Sequence, residues 1–135
     1  MAVLALTDAK ITLNSVNLSD HVRKVTLKTS ADDLETTAMG ATYRARIGGL
    51  KDGEISIEFN QDFASSSVDA TLFAALGTVV AFTAKATSGA NSSTNPEYQG
   101  NLLVNDYSPL DNSVGELAVV SVSFPTTGTI TRATS

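Results

Sequence analysis

Glu54-Ile55-Ser56-Ile57-Glu58-Phe59-Asn60 is the stretch that decides the fold. Ile55, Ile57 and Phe59 alternate strictly with Glu54, Ser56, Glu58 and Asn60, the period of a strand with one dry face and one wet face. Working outward, the period recurs at Val25 and Leu27 between Lys24, Thr26 and Lys28, at Val80, Phe82 and Ala84, and at Val120, Val122 and Phe124. Lys10-Ile11-Thr12-Leu13 also alternates, followed by a turn at Asn14-Ser15 and a second short run, Val16-Asn17-Leu18. Leu102-Leu103-Val104 is apolar on both faces, as in a strand covered on both sides. A last short strand is predicted over residues 128–132. One segment departs from this period. Val68, Leu72, Phe73 and Leu76 recur at helical spacing, which predicts an amphipathic helix over 67–76. Ser66 or Ser67 can cap its start, Asp69 sits in its first turn and Gly77 follows as a stop. The expected fold is mainly β: an antiparallel β-sandwich or partly open barrel with one flanking α-helix, in a single domain.

Residues 31–53 join two good strands without a strong pattern of either kind and are expected to form a long inter-strand loop. Loops beyond about 12–15 residues are uncommon in compact domains and usually have a function. Residues 87–96 are a shorter polar, turn-rich linker. Charge is unevenly spread: residues 1–51 carry a net +2 and residues 52–135 a net −7. A head-to-tail polymer can use such asymmetry, and ordinary solubility accounts for it equally well. The acidic balance argues against tight nucleic-acid binding. No apolar run approaches the ~20 residues that span a bilayer, and Met1–Leu6 lacks the basic start of a secretory signal. The expectation is therefore a protein that stays in the cytoplasm after synthesis.

Catalytic chemistry finds little support. There is no cysteine and only one histidine, His21, so thiolate chemistry and Cys-type zinc sites are excluded. His21 is expected to be a surface turn residue, with Asp20 pointing away from it. Glu54 and Glu58 would stand roughly 13 Å apart on one strand face, too far for a glycosidase pair. Asp32-Asp33-Leu34-Glu35 lacks the ligand spacing of a calcium loop. Gly48-Gly49-Leu50-Lys51 lacks the spacing of a phosphate-binding loop. No catalytic, cofactor or metal residue is assigned. Tyr43, Tyr98 and Tyr107 are too scattered for a sugar-binding platform and are expected at the boundary, rings packed and hydroxyls wet.

The run Arg44-Ala45-Arg46-Ile47-Gly48-Gly49-Leu50-Lys51-Asp52-Gly53, leading into the strand at Glu54, resembles the strand-entry signature of the major tail proteins of long, non-contractile-tailed bacteriophages. Gln61-Asp62-Phe63, Asn95-Pro96-Glu97-Tyr98-Gln99-Gly100, Asp106-Tyr107-Ser108-Pro109 and Val114-Gly115-Glu116 fit in order, so the resemblance spans residues 10–132. It implies a structural virion protein that forms stacked hexameric rings, a tail tube through which viral DNA passes without specific binding. It further implies assembly in the host cytoplasm with tape-measure, terminator and baseplate proteins as partners. Asp32, Asp33, Glu35, Arg44, Arg46, Lys51 and Asp52 would then contact an adjacent ring. Lys24, Lys28, Glu54 and Glu58 would line the lumen or pair across strands. The alternatives are a terminator or baseplate ring of the same fold, or an adhesive, carbohydrate-binding β-sandwich.

Overall fold

The computed structural model describes residues 7–110 and 112–134. Seven strands form in chain order: β1 (Lys10–Leu13), β2 (Val16–Asn17), β3 (Val22–Glu35), β4 (Arg46–Asn60), β5 (Val79–Lys85), β6 (Glu97–Leu103) and β7 (Val119–Ala133). The helix α1 spans Val68–Ala75, and a 3-10 turn, Ser19–His21, links β2 to β3. The strands make one antiparallel sheet in the order β2-β1-β5-β6-β7-β4-β3. Asn14 and Ser15 both have positive φ, 52° and 66°, as a two-residue hairpin turn demands of the residues between β1 and β2.

The two strands anticipated near the C-terminus are one. β7 pairs first with β4, Val119 to Pro125 lying opposite Asn60 to Glu54, and then with β6, Thr126 to Ala133 lying opposite Leu102 to Glu97. This shared strand folds the sheet over on itself. Ile55, Ile57, Phe59, Val120, Val122 and Phe124 from one half are buried with Ile11, Leu13, Val80, Phe82 and Leu102 from the other. The roll is incomplete. A cavity of about 340 Å³ stays open where Val25 and Leu27 of β3 face Ile11 and Ala84. The result is a partly open barrel with α1 against its flank.

The helix buries Val68, Thr71, Leu72 and Ala75, leaving Phe73 and Leu76 exposed. The expected face was therefore rotated. At about 100° per residue, Thr71 and Ala75 complete the stripe through Val68 and Leu72, and Phe73 turns off it. Gly77 ends the helix in the left-handed region (φ 83°). Ser67 holds the N-cap position, but its hydroxyl bonds Asp62 instead of a helix N–H.

The corner where β7 changes partners is close-packed. The β6–β7 register slips between Gln99 and Asn101, and Gly128 takes a φ of 82°. Ile130 thereby lies over Gly53 and Gly100: a Cβ added at Gly53 would sit 2.5 Å from Ile130 Cδ1 and 2.8 Å from Thr126 Oγ1. Replacing Gly53 with Ala is expected to destabilise the fold by about 1–3 kcal/mol, the usual cost of overpacking. Thermal denaturation of G53A, I130A and G53A/I130A checks this. The double variant should recover part of the loss, and simple additivity of the two losses would contradict the packing account.

Candidate assembly surfaces

Three strands present a polar outer face built by period-two alternation. Lys24 stands opposite Glu58 and Lys28 opposite Glu54 across β3 and β4, and the β4–β7 register sets Glu58, Ser56 and Glu54 against Ser121, Ser123 and Pro125. The charges expected either in a lumen or in cross-strand pairs are thus cross-strand neighbours within the subunit. A register slip after Val22 makes Arg23 the extra residue, and its guanidinium reaches Glu58 at 3.4 Å. Glu54 accepts the Ser123 hydroxyl, and Ser123 meets Ser56 at 3.1 Å between hydroxyl oxygens.

Residues 31–53 are not a loop for most of their length. β3 continues to Glu35 and β4 begins at Arg46, so the segment is a two-stranded arm with a connection over 36–45. Hydrogen bonds from Thr36 N to Ala45 O (2.8 Å) and from Ala45 N to Thr37 Oγ1 (2.8 Å) extend it toward its tip. Nearly every side chain from Ala31 to Leu50 is exposed. Among the described residues, Arg46 to Gly53 of β4 pair with β3 alone, because β7 leaves β4 at Glu54.

The arm's predicted contact residues are engaged at home. Arg46 Nε lies 3.4 Å from Asp33, Arg44 lies 3.7 Å from Glu35, and Asp52 accepts its neighbour's Gly53 N–H at 2.8 Å. Asp32 and Lys51 are exposed and make no ion pair among the described residues. Charge reading missed the apolar surface. Leu34 stands opposite Ile47, 49% and 58% exposed, with Leu50 (83%), Met39 and Tyr43 also in solvent. The signal was present in the alternation Asp33-Leu34-Glu35. Tyr43 thus has no packed ring, contrary to expectation.

At the opposite end of β4 a second apolar surface occurs. The irregular segment between β6 and β7 leaves Leu110, Val114 and Leu117 exposed. It is anchored at both ends. Tyr107 donates its hydroxyl to Asp69 of α1 (2.7 Å) and accepts from Gln61 Nε2 (3.0 Å), which also reaches Pro109 O. Gln61 N donates to Ala118 O at 2.9 Å. Tyr107 is therefore a boundary residue with a bonded hydroxyl, not a wet one.

Two solved structures share this architecture. A chain in the virion of a native gene transfer agent particle matches with a TM-score of 0.71 at 18% identity, over 93% of this chain and 95% of that one. A chain in the tail of an empty gene transfer agent particle, obtained by helical refinement with C6 symmetry, matches with a TM-score of 0.62 at 16% identity. That match covers 84% of this chain and 82% of the other. The shared property is the fold. No protein-family model and no curated protein sequence matches the chain.

One cluster has the composition of a hydrolase triad but not its geometry. His21 Nε2 lies 3.3 Å from Asp62 Oδ2 and 3.2 Å from Ser67 Oγ, and Ser67 donates to the same carboxylate at 2.9 Å. A triad uses opposite ring nitrogens for acid and nucleophile, whereas here both meet one nitrogen. Ser67 is also buried. The cluster clamps the 3-10 turn to the start of α1. Because that turn is not extended, Asp20 also approaches His21, at 3.6 Å, although alternation had placed it on the far side. No helix among the described residues is long and apolar enough to cross a membrane.

These anchors titrate in opposite senses. The Ala64 N–H and then the Ser67 hydroxyl hold the Asp62 carboxyl below its ordinary value. A depressed carboxylate stabilises the fold above its ordinary pKa, and that contribution is lost as pH falls below about 4. Burial pushes the Tyr107 phenol up to about 12, with Asp69 adding to the rise and Gln61 opposing it. A raised phenol contributes fully below pH ~10 and loses its contribution as pH climbs through the folded value. Melting temperature against pH is expected to fall less steeply at the acid end in Asp62→Asn and at the alkaline end in Tyr107→Phe. The Tyr107 variant should also cost about 1 kcal/mol at neutral pH. Unchanged slopes in both would refute these anchors.

Proposed function

We propose that the chain is the repeating structural subunit of a bacteriophage-type tail tube, assembling as hexameric rings that stack into the conduit for viral DNA. The observation that carries this reading is the arm. A subunit has no use for a long hairpin that holds Leu34, Ile47 and Leu50 about half or more in solvent unless another surface covers them. The likeness in fold to a chain from a C6-symmetric tail supports the same reading.

Ring closure follows from the sheet edge. β3 is fourteen residues long and lies at the end of the strand order, with one side unpaired among the described residues. Such an edge invites aggregation unless a neighbour pairs with it, and a closed ring does this for every copy. In this arrangement the face of Lys24, Lys28, Glu54 and Glu58 lines the lumen. Each lysine there has a glutamate opposite, so DNA phosphates meet a surface of nearly balanced charge. Passage with little friction needs that balance, not affinity. Tape-measure, terminator and baseplate proteins are the further partners, and the virion tail is the location.

Sedimentation velocity provides the test. Wild-type protein should form large polymers, and the double variant L34D/I47D should need roughly tenfold higher concentration or more to do so. Its melting temperature should fall only slightly, since the two side chains pair with each other outside the core. Polymerisation of the variant at wild-type concentrations would overturn the role of the arm. Growth that halts at single rings would favour a terminator or baseplate component. A reconstruction with Glu54 and Glu58 on the outer wall would refute the lumenal assignment.

A further inference from the structure

We infer that Lys85 and Asn91 are the two ends of an intramolecular amide bond, formed when the lysine amine attacks the asparagine carboxamide. Lys85 ends β5 on the face away from the core, since Val80, Phe82 and Ala84 are the inward residues of that strand. A lysine there belongs in solvent, yet only 9% of Lys85 is exposed. The polar, turn-rich segment that follows β5 folds back over it. Lys85 Nζ donates to Gly89 O at 2.6 Å and to Asn91 Oδ1 at 2.8 Å. Both acceptors are neutral, and no carboxylate forms an ion pair with Lys85 among the described residues. Amine and carboxamide are thus held in contact, out of water, within one subunit.

The surroundings supply what the reaction needs. A lysine nucleophile is activated by removal from water or by a second cation beside it. The covering segment gives Lys85 the first, and Lys10, its partner across β1 and β5, gives the second. Across β5 and β6 its partner is Glu97. Side chains directly opposite on antiparallel strands share a face, so Glu97 stands on the same side of the sheet as the amine. Its Oε1 accepts from Gln99 Nε2 at 2.6 Å, leaving Oε2 for proton transfer. Asn91 is positioned by its own segment. Asn95 Nδ2 bonds Gly89 O and Ala90 O, both at 3.1 Å, and the backbones of Ser92 and Asn95 bond each other. Geometry set in advance removes much of the entropy cost of bringing two reacting groups together. In the reaction the ammonium first gives one proton to water. The Nζ lone pair then adds to Asn91 Cγ while Glu97 takes a second proton from Nζ. The Cγ–Nδ2 bond breaks, Glu97 returns that proton to Nδ2, and ammonia leaves. The Nζ–Cγ amide remains, and no oxidant, reductant or other co-reactant is consumed.

Mass spectrometry of the wild-type protein tests this without any variant. The intact chain should weigh one ammonia less than its sequence requires. Digestion then locates the loss. Lys85 and Arg132 are the only basic residues from 52 to 132, and trypsin does not cut after an acylated lysine. Denatured and digested protein should therefore yield residues 52–132 as a single peptide. Asn91→Ala should have the full mass of its sequence and give separate peptides 52–85 and 86–132. Glu97→Gln should fold, by circular dichroism, and remain unlinked; a linked Glu97→Gln would overturn the part given to that carboxylate. A wild type of full mass, cut normally after Lys85, would overturn the inference. So would loss of ammonia with normal cleavage after Lys85, the result that a cyclic imide at Asn91-Ser92 produces. Neither outcome bears on the tail-tube reading, which concerns contacts between subunits.

Discussion

Everything in this molecule hangs on β7 belonging to two halves of one sheet. A strand that pairs with β4 along its first half and with β6 along its second must turn a corner, and the corner has to be close-packed to hold the two halves face to face. Ile130 fills it, Gly53 making room for Ile130 and Gly100 for the ring of Phe82 because neither carries a Cβ. The three buried phenylalanines, Phe59, Phe82 and Phe124, come from β4, β5 and β7; β4 and β7 are sheet neighbours, and β5 meets them because the sheet is folded there. Cavity-forming changes at such residues typically cost about 3–5 kcal/mol, so the core that β7 closes dominates stability.

The same crossover creates the candidate assembly surfaces. Where β7 leaves, β4 loses its second neighbour, and the arm extends on β3 alone. Where β7 begins, the segment leading into it is pinned beside the end of β4. The core is thereby joined to two exposed apolar surfaces at opposite ends of one strand.

Much of this was legible in the sequence, and the rest was hidden for specific reasons. Residues 54–60 declared their strand because one face is dry and the other wet. The arm did not, since neither face is buried within the subunit and a register slip between Ala31 and Asp33 breaks the alternation. The helix was legible in position but not in phase: Phe73 outweighed Thr71 and Ala75 by hydrophobicity, although geometry favours the smaller pair. The candidate residues were partly legible. Lys24, Lys28, Glu54 and Glu58 alternate along their strands, but their pairing depends on register. Arg44 and Arg46 were read as free to reach outward and instead meet Glu35 and Asp33. Tyr107 and Gln61 gave no local sign of their bond, because 46 residues separate them.

The central claim is that this fold exists to polymerise end to end. Negative-stain electron microscopy of the purified protein, fresh and concentrated, tests it most directly. The account predicts hollow tubes built of sixfold rings, lengthening with concentration. Uniform single subunits at every concentration, with the arm uncovered, would contradict it.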